Sequence, residues 1–183
     1  MSLNKTVVLV GMMGSGKTSV GKVLAAALGV SFIDSDHEIS KAANRSISEI
    51  FERDGNNFFR IAEFRVIKRL LCGPPCVLAT GGGAFMSTEN RVLIANLGIS
   101  VFLNVDLEIL WERLRYKKNR PLLKTKNPRA TLYEIFENRK DQYSQADFTI
   151  TSYYNCSIAQ TSQKVLFALS QKSDVLNLEE GKP

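Results

Sequence analysis

The sequence has few of the residues that build disulfide-bonded, zinc-binding or histidine-dependent sites. It contains three cysteines and one histidine in 183 residues. Cys72, Cys76 and Cys156 are an odd set in or beside apolar segments, without the second ligand pair of a thiolate metal site. We therefore expect reduced thiols in the core. The sequence shows no arrangement for nucleophilic catalysis by cysteine or histidine.

Long apolar runs are also missing. No stretch of about 18 apolar residues is present, and the N-terminus lacks the basic and then apolar layout of a secretory signal. We expect a cytoplasmic protein, or a plastidic one if a transit peptide has been removed, with no membrane partner. A chain of 183 residues that is 44% hydrophobic can bury one core and is short for two. We expect a single domain over residues 1–183, and a monomer.

Acidic residues are absent from one basic segment. Eight lysines and arginines lie between Arg113 and Arg129, and the net charge of the chain is +6. A basic balance is typical of nucleic-acid binding, but this local cluster also fits a solvated loop. The helical periodicity stops between about Tyr116 and Pro128, and a long irregular loop in a compact domain is usually a lid or a disordered insert.

The strongest motif present is the segment from Gly11 to Thr18. Its sequence, GMMGSGKT, agrees with the phosphate-binding loop (P-loop), and it stands between an apolar run and a helical pattern. Its glycines let backbone N–H groups turn towards an anion at a helix N-terminus. Lys17 is placed to reach the outer phosphates, and Thr18 offers a hydroxyl to Mg²⁺. The loop predicts nucleotide binding but not the fate of the phosphate.

Strand and helix patterns alternate along the chain. The strand candidates are Thr6 to Val10, Ser31 to Ile33, Cys76 to Ala79, Ser100 to Asn104 and Phe148 to Thr151. The helix candidates are Lys17 to Leu28, a short helix opened by a capping box from Ser46 to Glu49, Phe58 to Leu71, a helix capped by Asp106 through Leu114, Thr131 to Tyr143, and Ile158 to Leu169. Such alternation predicts an α/β fold: a single-domain, three-layer α/β/α P-loop protein with a central five-stranded parallel sheet. A flexible tail is expected over about residues 171–183.

Two carboxylates follow the second strand candidate. Asp34 and Asp36 are two residues apart, so they share one face if the segment is extended. One could join a magnesium shell through water, while the other accepts a hydrogen bond and then a proton from an acceptor hydroxyl. Capping of a helix N-terminus is an equally good explanation.

Three consecutive glycines, Gly81 to Gly83, follow the third strand candidate. Such a run costs backbone entropy, which makes sense where a ligand must lie against bare backbone. A simple flexible turn is the alternative. The run stands where many P-loop proteins carry a magnesium-binding aspartate, and this favours Asp34 as the acidic partner of the metal.

Two arginines complete the polar set. Arg60 and Glu63 are three residues apart on one helix face, which alone indicates only a surface ion pair. Together, Arg60 and Arg139 supply two planar guanidinium groups, and a planar carboxylate fits that geometry.

These motifs, in this order and at these separations, resemble the shikimate kinase family. The resemblance covers roughly Lys5 to Thr151. It rests on Gly11 to Thr18, Asp34-Ser35-Asp36, Phe59-Arg60-Ile61-Ala62-Glu63, Gly81-Gly82-Gly83, Arg120-Pro121-Leu122-Leu123 and Arg139-x-x-x-Tyr143.

The resemblance implies ATP-dependent phosphorylation of shikimate to shikimate 3-phosphate, in aromatic amino acid (chorismate) biosynthesis, with Mg²⁺. It implies the catalytic residues Lys17, Asp36 and Arg120. It implies ATP binding by Gly14, Ser15, Gly16, Lys17, Thr18, Ser19, Arg113 and Arg120, and substrate binding by Asp36, Arg60, Glu63, Gly81, Gly82, Gly83 and Arg139. The metal would be bound by Thr18 and, through water, by Asp34. A substrate-binding helical region is expected over about residues 34–62 and a mobile lid over about 113–128.

The chain departs from the family near Ser152-Tyr153-Tyr154-Asn155, where the family often has a small or basic residue. We therefore assign no specific adenine contact beyond Arg113. Two alternatives remain: a gluconate kinase-like enzyme, against which the triple glycine and the arginine pair argue, and a non-enzymatic P-loop nucleotide-binding or nucleic-acid-associated protein.

Overall fold

The computed structural model describes residues 1–117 and 121–177. Within these residues the strands are β1 (Ser2–Leu3), β2 (Thr6–Val10), β3 (Phe32–Asp34), β4 (Val77–Ala79), β5 (Gly98–Val105), β6 (Phe148–Ser152) and β7 (Leu176–Asn177). The helices are α1 (Lys17–Leu28), α2 (Ser35–Ala43), α3 (Ile47–Leu71), α4 (Thr88–Leu97), α5 (Leu107–Leu114), α6 (Pro128–Tyr143) and α7 (Ile158–Ser170). Short 3₁₀ turns cover Ala84–Met86 and Pro121–Leu123.

The main sheet has five parallel strands in the order β3-β4-β2-β5-β6. Its central strand β2 is buried on both faces, as expected for an apolar run in a parallel sheet. Val7 and Leu9 pack towards α1 and α7, whereas Val8 and Val10 pack into a second core with α3, α4, α5 and α6. These three layers confirm the predicted α/β/α fold and its five-stranded parallel sheet.

The strand order brings three of the predicted motifs side by side. Strand β2 leads into the P-loop, its neighbour β4 leads into the triple glycine, and β3 ends at Asp34. Because parallel strands end on the same edge of the sheet, all three segments lie at that edge. Ligands of open α/β sheets collect there.

Some local expectations were wrong. Helices α2 and α4 were not predicted. The two helices that were expected within α3 are both present, as its two halves. Gly55, at φ 81° and ψ 175°, separates two helical halves inside α3. The capping box of Ser46 and Glu49 at its start is confirmed. Of the thiols expected in the core, Cys76 is buried, whereas Cys72 is exposed.

The predicted flexible tail is wrong for its first part. Val175 and Leu176 are fully buried, and β7 pairs antiparallel with β1, placing Leu176 opposite Leu3. The same contact is held by a hydrogen bond from the Asn4 amide to the Val175 carbonyl. Burial of these apolar side chains in the core that β2 forms with α1 and α7 fixes this segment. Residues 178–183 lie outside the described part of the chain.

Truncation of Leu176 should therefore destabilise the fold. We expect Leu176→Ala to lower the free energy of unfolding by about 2–5 kcal/mol, because it leaves a cavity in a closed core. Leu97→Ala is a matched control, since Leu97 is exposed, and its effect should stay below about 1 kcal/mol. Urea unfolding of both variants measures the difference. Equal effects would show that β7 adds no stability.

In the described ranges, none of the helices combines the length and the apolar character needed to cross a membrane.

Candidate functional site

A cavity of about 500 Å³ opens at the carboxyl edge of the sheet. Its lining joins segments that are far apart in sequence: the P-loop and the start of α1, both aspartates behind β3, the glycine run behind β4, and the end of α5. The predicted site residues on this lining are Gly14, Ser15, Gly16, Lys17, Thr18, Ser19, Asp34, Asp36, Gly81, Gly82 and Arg113.

The P-loop has the backbone shape that an anion cradle needs. Gly14 and Gly16 have φ values of 81° and 96°, a region that favours glycine. A Cβ on Gly11 would lie 2.9 Å from the carbonyl oxygen of Leu103, so the loop packs directly against β5. Lys17 Nζ donates to the carbonyl oxygens of Gly11, at 2.8 Å, and Met12, at 2.9 Å. The ammonium is thus held over the loop.

Polar groups around the loop face the same cavity. Ser15 is buried, and its hydroxyl has no hydrogen-bond partner among the described residues. Thr18 and Ser19 are exposed at the start of α1. Arg113 Nη1 donates to the Gly14 carbonyl oxygen at 3.0 Å, which brings the end of α5 onto the P-loop. The loop therefore offers backbone, hydroxyl and guanidinium donors to one ligand.

The two aspartates have different local roles. Strand β3 ends at Asp34, whose Oδ1 accepts from the backbone N–H groups of Asp36, at 3.0 Å, and His37, at 3.3 Å. Asp34 is therefore the N-cap of α2, and Asp36 lies in its first turn. Helix capping, one of the two explanations that the sequence left open, is confirmed for Asp34. The two carboxylates do not share one face of an extended strand, because the cap starts a helix between them. Both residues nevertheless line the cavity.

The glycine run lies directly against charged side chains. A Cβ on Gly81 would stand 2.7 Å from Asp36 Oδ1, and one on Gly83 would stand 2.7 Å from Arg60 Nη2. Neither glycine has a positive φ, so close approach, not backbone conformation, excludes a side chain. A simple flexible turn does not explain these contacts.

The central glycine binds the other arginine. Arg139 Nη1 donates to the Gly82 carbonyl oxygen at 2.9 Å, and the Tyr143 hydroxyl donates to the same oxygen. Burial raises the pKa of Tyr143 to about 12, so the hydroxyl keeps its proton in the neutral range. The sequence pattern included Tyr143 but gave it no role.

The buried Glu63 fixes the position of Arg60. Its side chain is 1% exposed, and Oε2 accepts from Arg60 Nη1 at 2.6 Å. Burial raises the pKa of Glu63, while the neighbouring Arg60 guanidinium opposes that rise. Because the carboxylate is buried, the pair is not the surface ion pair that the spacing alone would indicate. It orients Arg60 beside Gly83.

Known proteins that are similar to the chain in sequence over most of its length are shikimate kinases. A shikimate kinase family model matches residues 13–170. The shikimate kinases of Ruegeria pomeroyi and Cereibacter sphaeroides are 56% and 53% identical to the chain, over 97% of it and over 91% and 89% of those proteins. The chain belongs to the shikimate kinase family. A solved shikimate kinase from Acinetobacter baumannii, in complex with shikimate, has a TM-score of 0.86 at 39% identity, covering 92% of this chain and 94% of that one.

Membership of the shikimate kinase family confirms the predicted resemblance, fold and enzyme class. The gluconate kinase alternative has less support, because the two relatives at 56% and 53% identity are shikimate kinases. One predicted residue, Arg120, lies outside the described residues. On either side of it, Lys117 lines the cavity and Leu123 is buried.

A methyl group on Gly83 tests the predicted role of Arg60, which lies beside Gly83 and, like it, is not among the residues that line the cavity. We expect Gly83→Ala to fold normally, because the displaced atoms are the flexible end of Arg60. The Michaelis constant (KM) for shikimate should rise about tenfold or more, since hydrogen bonds to charged groups contribute about 1.5–3 kcal/mol. The KM for ATP should stay unchanged. Gly73→Ala is the control, as its Cβ would make ordinary contacts of 3.4 Å or more. Steady-state kinetics with an unaltered shikimate KM would contradict this placement of Arg60.

Proposed function

We propose that the protein transfers the γ-phosphoryl group of ATP to a hydroxyl of shikimate and releases ADP and shikimate 3-phosphate. One observation carries the proposal: bare glycine backbone lies between a carboxylate and two guanidinium groups, at the edge where the P-loop also lies. The P-loop accounts for the donor ATP. The glycine run, Asp36 and the arginines account for an acceptor that is both hydroxylated and carboxylated.

On the donor side, the backbone N–H groups of residues 14–19 would bind the phosphates at the N-terminus of α1. Lys17 would exchange its two carbonyl partners for the outer phosphate oxygens. Arg113, held on Gly14, would lie against the adenine end of the nucleotide. These groups position ATP and offset its charge, which is most of what phosphoryl transfer requires.

The oxygen donors present fit a magnesium ion that arrives with ATP. Within residues 1–117 and 121–177 no cluster of three or more His, Cys, Asp or Glu side chains could hold a metal. Magnesium needs only one or two protein oxygens when phosphates and waters complete its shell. The exposed Thr18 hydroxyl would bind it directly and Asp34 through water, since both line the cavity. When bound, the ion neutralises charge on the phosphates.

On the acceptor side, Arg60 and Arg139 would bind the ring carboxylate, a planar anion that guanidinium groups recognise well. Glu63 keeps Arg60 in place. The ring would lie along Gly81, Gly82 and Gly83, whose missing side chains leave the room. Asp36 would accept a hydrogen bond from the reacting hydroxyl.

In the reaction, the acceptor oxygen forms a bond to the γ-phosphorus while the bond to the bridging oxygen of ADP breaks. Asp36 takes the proton that the hydroxyl loses. Lys17 and Arg120 stabilise the negative charge on the transferred group and on the leaving phosphate. Closure of the lid, about residues 113–128, would exclude water, which otherwise competes for the phosphoryl group.

An assay of ADP release tests the proposal. At fixed magnesium and ATP, we expect release that depends on shikimate and is absent with gluconate. Release with gluconate alone would favour the gluconate kinase alternative. Salt-sensitive oligonucleotide binding without acid-dependent turnover would favour a nucleic-acid-associated protein. We further propose that the protein is cytoplasmic and that it is a monomer. Size-exclusion chromatography with light scattering would test the monomeric state.

A further inference from the structure

The hydroxyl of Tyr143 has no part in the proposed reaction, although it lies next to the acceptor groups. The side chain is 1% exposed, and its ring stacks on Phe102 with centroids 5.0 Å apart and planes 13° apart. The phenol of such a residue must find a partner in the interior. That partner is the Gly82 carbonyl oxygen, in the middle of the glycine run.

The Gly82 carbonyl oxygen therefore accepts two hydrogen bonds. Arg139 and Tyr143 are four residues apart on α6, so they lie on one face of the helix and reach the same oxygen. A carbonyl oxygen has two lone pairs, and here both are used. Two donors from one rigid helix fix the plane of the Gly82 peptide. They also fix the Arg139 guanidinium relative to it.

Gly82 also lies against the donor loop. A Cβ built on it would stand 3.4 Å from Arg139 Nη1 and 3.6 Å from both the Gly11 oxygen and the Met13 nitrogen. Rotation of the Gly82 peptide would therefore change the spacing between the acceptor side and the P-loop. Arg139 alone cannot prevent that rotation well, because it is a long side chain that must also bind a ligand.

We infer that Tyr143 is a positioning residue for the acceptor: its hydroxyl fixes the Gly82 carbonyl so that Arg139 presents its remaining N–H donors to the carboxylate of the substrate. This inference rests on the proposed function. Tyr143 thus raises the affinity for the acceptor through Gly82 and Arg139, and it does not contact the substrate itself. Because the raised pKa keeps the phenol protonated, this effect should not vary between pH 6 and 9.

The variant Tyr143→Phe tests the inference, since it removes the hydroxyl and keeps the ring on Phe102. Calorimetric titration with shikimate alone should show a dissociation constant about fivefold higher, as expected for one lost hydrogen bond. The KM for shikimate should rise by a similar factor, with the KM for ATP and the melting temperature little changed. Tyr133→Phe is the matched control, because Tyr133 lies on α6 but is 54% exposed.

Coupling to Arg139 is the second measurement. If the hydroxyl acts through Arg139, the losses in shikimate affinity from Tyr143→Phe and Arg139→Ala should overlap in the double variant. Any of four results would overturn the inference. They are an unchanged shikimate affinity of Tyr143→Phe, equal losses of affinity for ATP and shikimate, additive losses of shikimate affinity in the double variant, and failure of Tyr143→Phe to fold. Wild-type protein without shikimate-dependent ADP release would instead contradict the proposed function, and the inference with it.

Discussion

Asp36→Asn should lower the turnover number (kcat) by about two to four orders of magnitude, the range that general base catalysis contributes. Asparagine keeps the shape of the side chain but cannot accept the proton of the reacting hydroxyl. The geometry supports a large effect, because Asp36 lines the cavity and its carboxylate lies so close to Gly81 that a Cβ there would clash with it. The measurement is kcat at saturating shikimate and ATP, so that weaker substrate binding does not contribute.

A control for Asp36 is available on the same helix. Glu38 also belongs to α2, but its carboxylate pairs with Arg69 at 2.7 Å and is not among the residues that line the cavity. Glu38→Gln should leave kcat within a factor of about two, as for surface substitutions away from the site. If Asp36→Asn also kept its turnover, Asp36 would bind the acceptor without taking its proton.

Arg120→Ala should lower kcat by about three orders of magnitude, as does loss of an arginine that stabilises the charge of phosphoryl transfer. Arg120 itself lies outside the described residues. Of its described neighbours in the sequence, Lys117 lines the cavity and Leu123 is buried. Of the basic residues in this segment, the resemblance assigns only Arg120 to the transferred phosphates.

The basic segment provides the control for Arg120. Lys124 is exposed, and Lys124→Ala removes one positive charge from the same segment. It should change kcat by less than about threefold, because exposed charges are screened by solvent and salt. Melting temperatures should be unchanged in both variants. Similar losses in both would point to the total charge of the segment and not to one guanidinium group.

The predictions made from short sequence patterns are correct because the interactions behind them lie within the same short segment. The P-loop needs only its own glycines, lysine and following helix. The capping box of Ser46 and Glu49 is closed by groups three residues apart. The apolar run of β2 likewise identifies a strand buried on both faces. In each case the evidence lies within about ten residues.

The rest depends on contacts that a single sequence does not specify. Asp34 is both the last residue of β3 and the N-cap of α2, and its place depends on where β3 stops against β4. The hydrogen bond from the Tyr143 hydroxyl to the Gly82 carbonyl oxygen joins positions 61 residues apart. Pairing of Leu3 with Leu176 spans almost the whole chain. Local motifs therefore identified most of the candidate residues, and the resemblance to a family supplied their detailed roles together with Ser19, Arg113 and Arg120.

The hydrogen bonds of Lys17 also bear on the end of the catalytic cycle. When ADP departs, the ammonium can return to the Gly11 and Met12 carbonyl oxygens and need not stay partly desolvated without an acceptor. The loop thus competes with the departing phosphates for the same cation. We expect that competition to weaken retention of the spent nucleotide and to favour product release, a step that limits turnover in many enzymes.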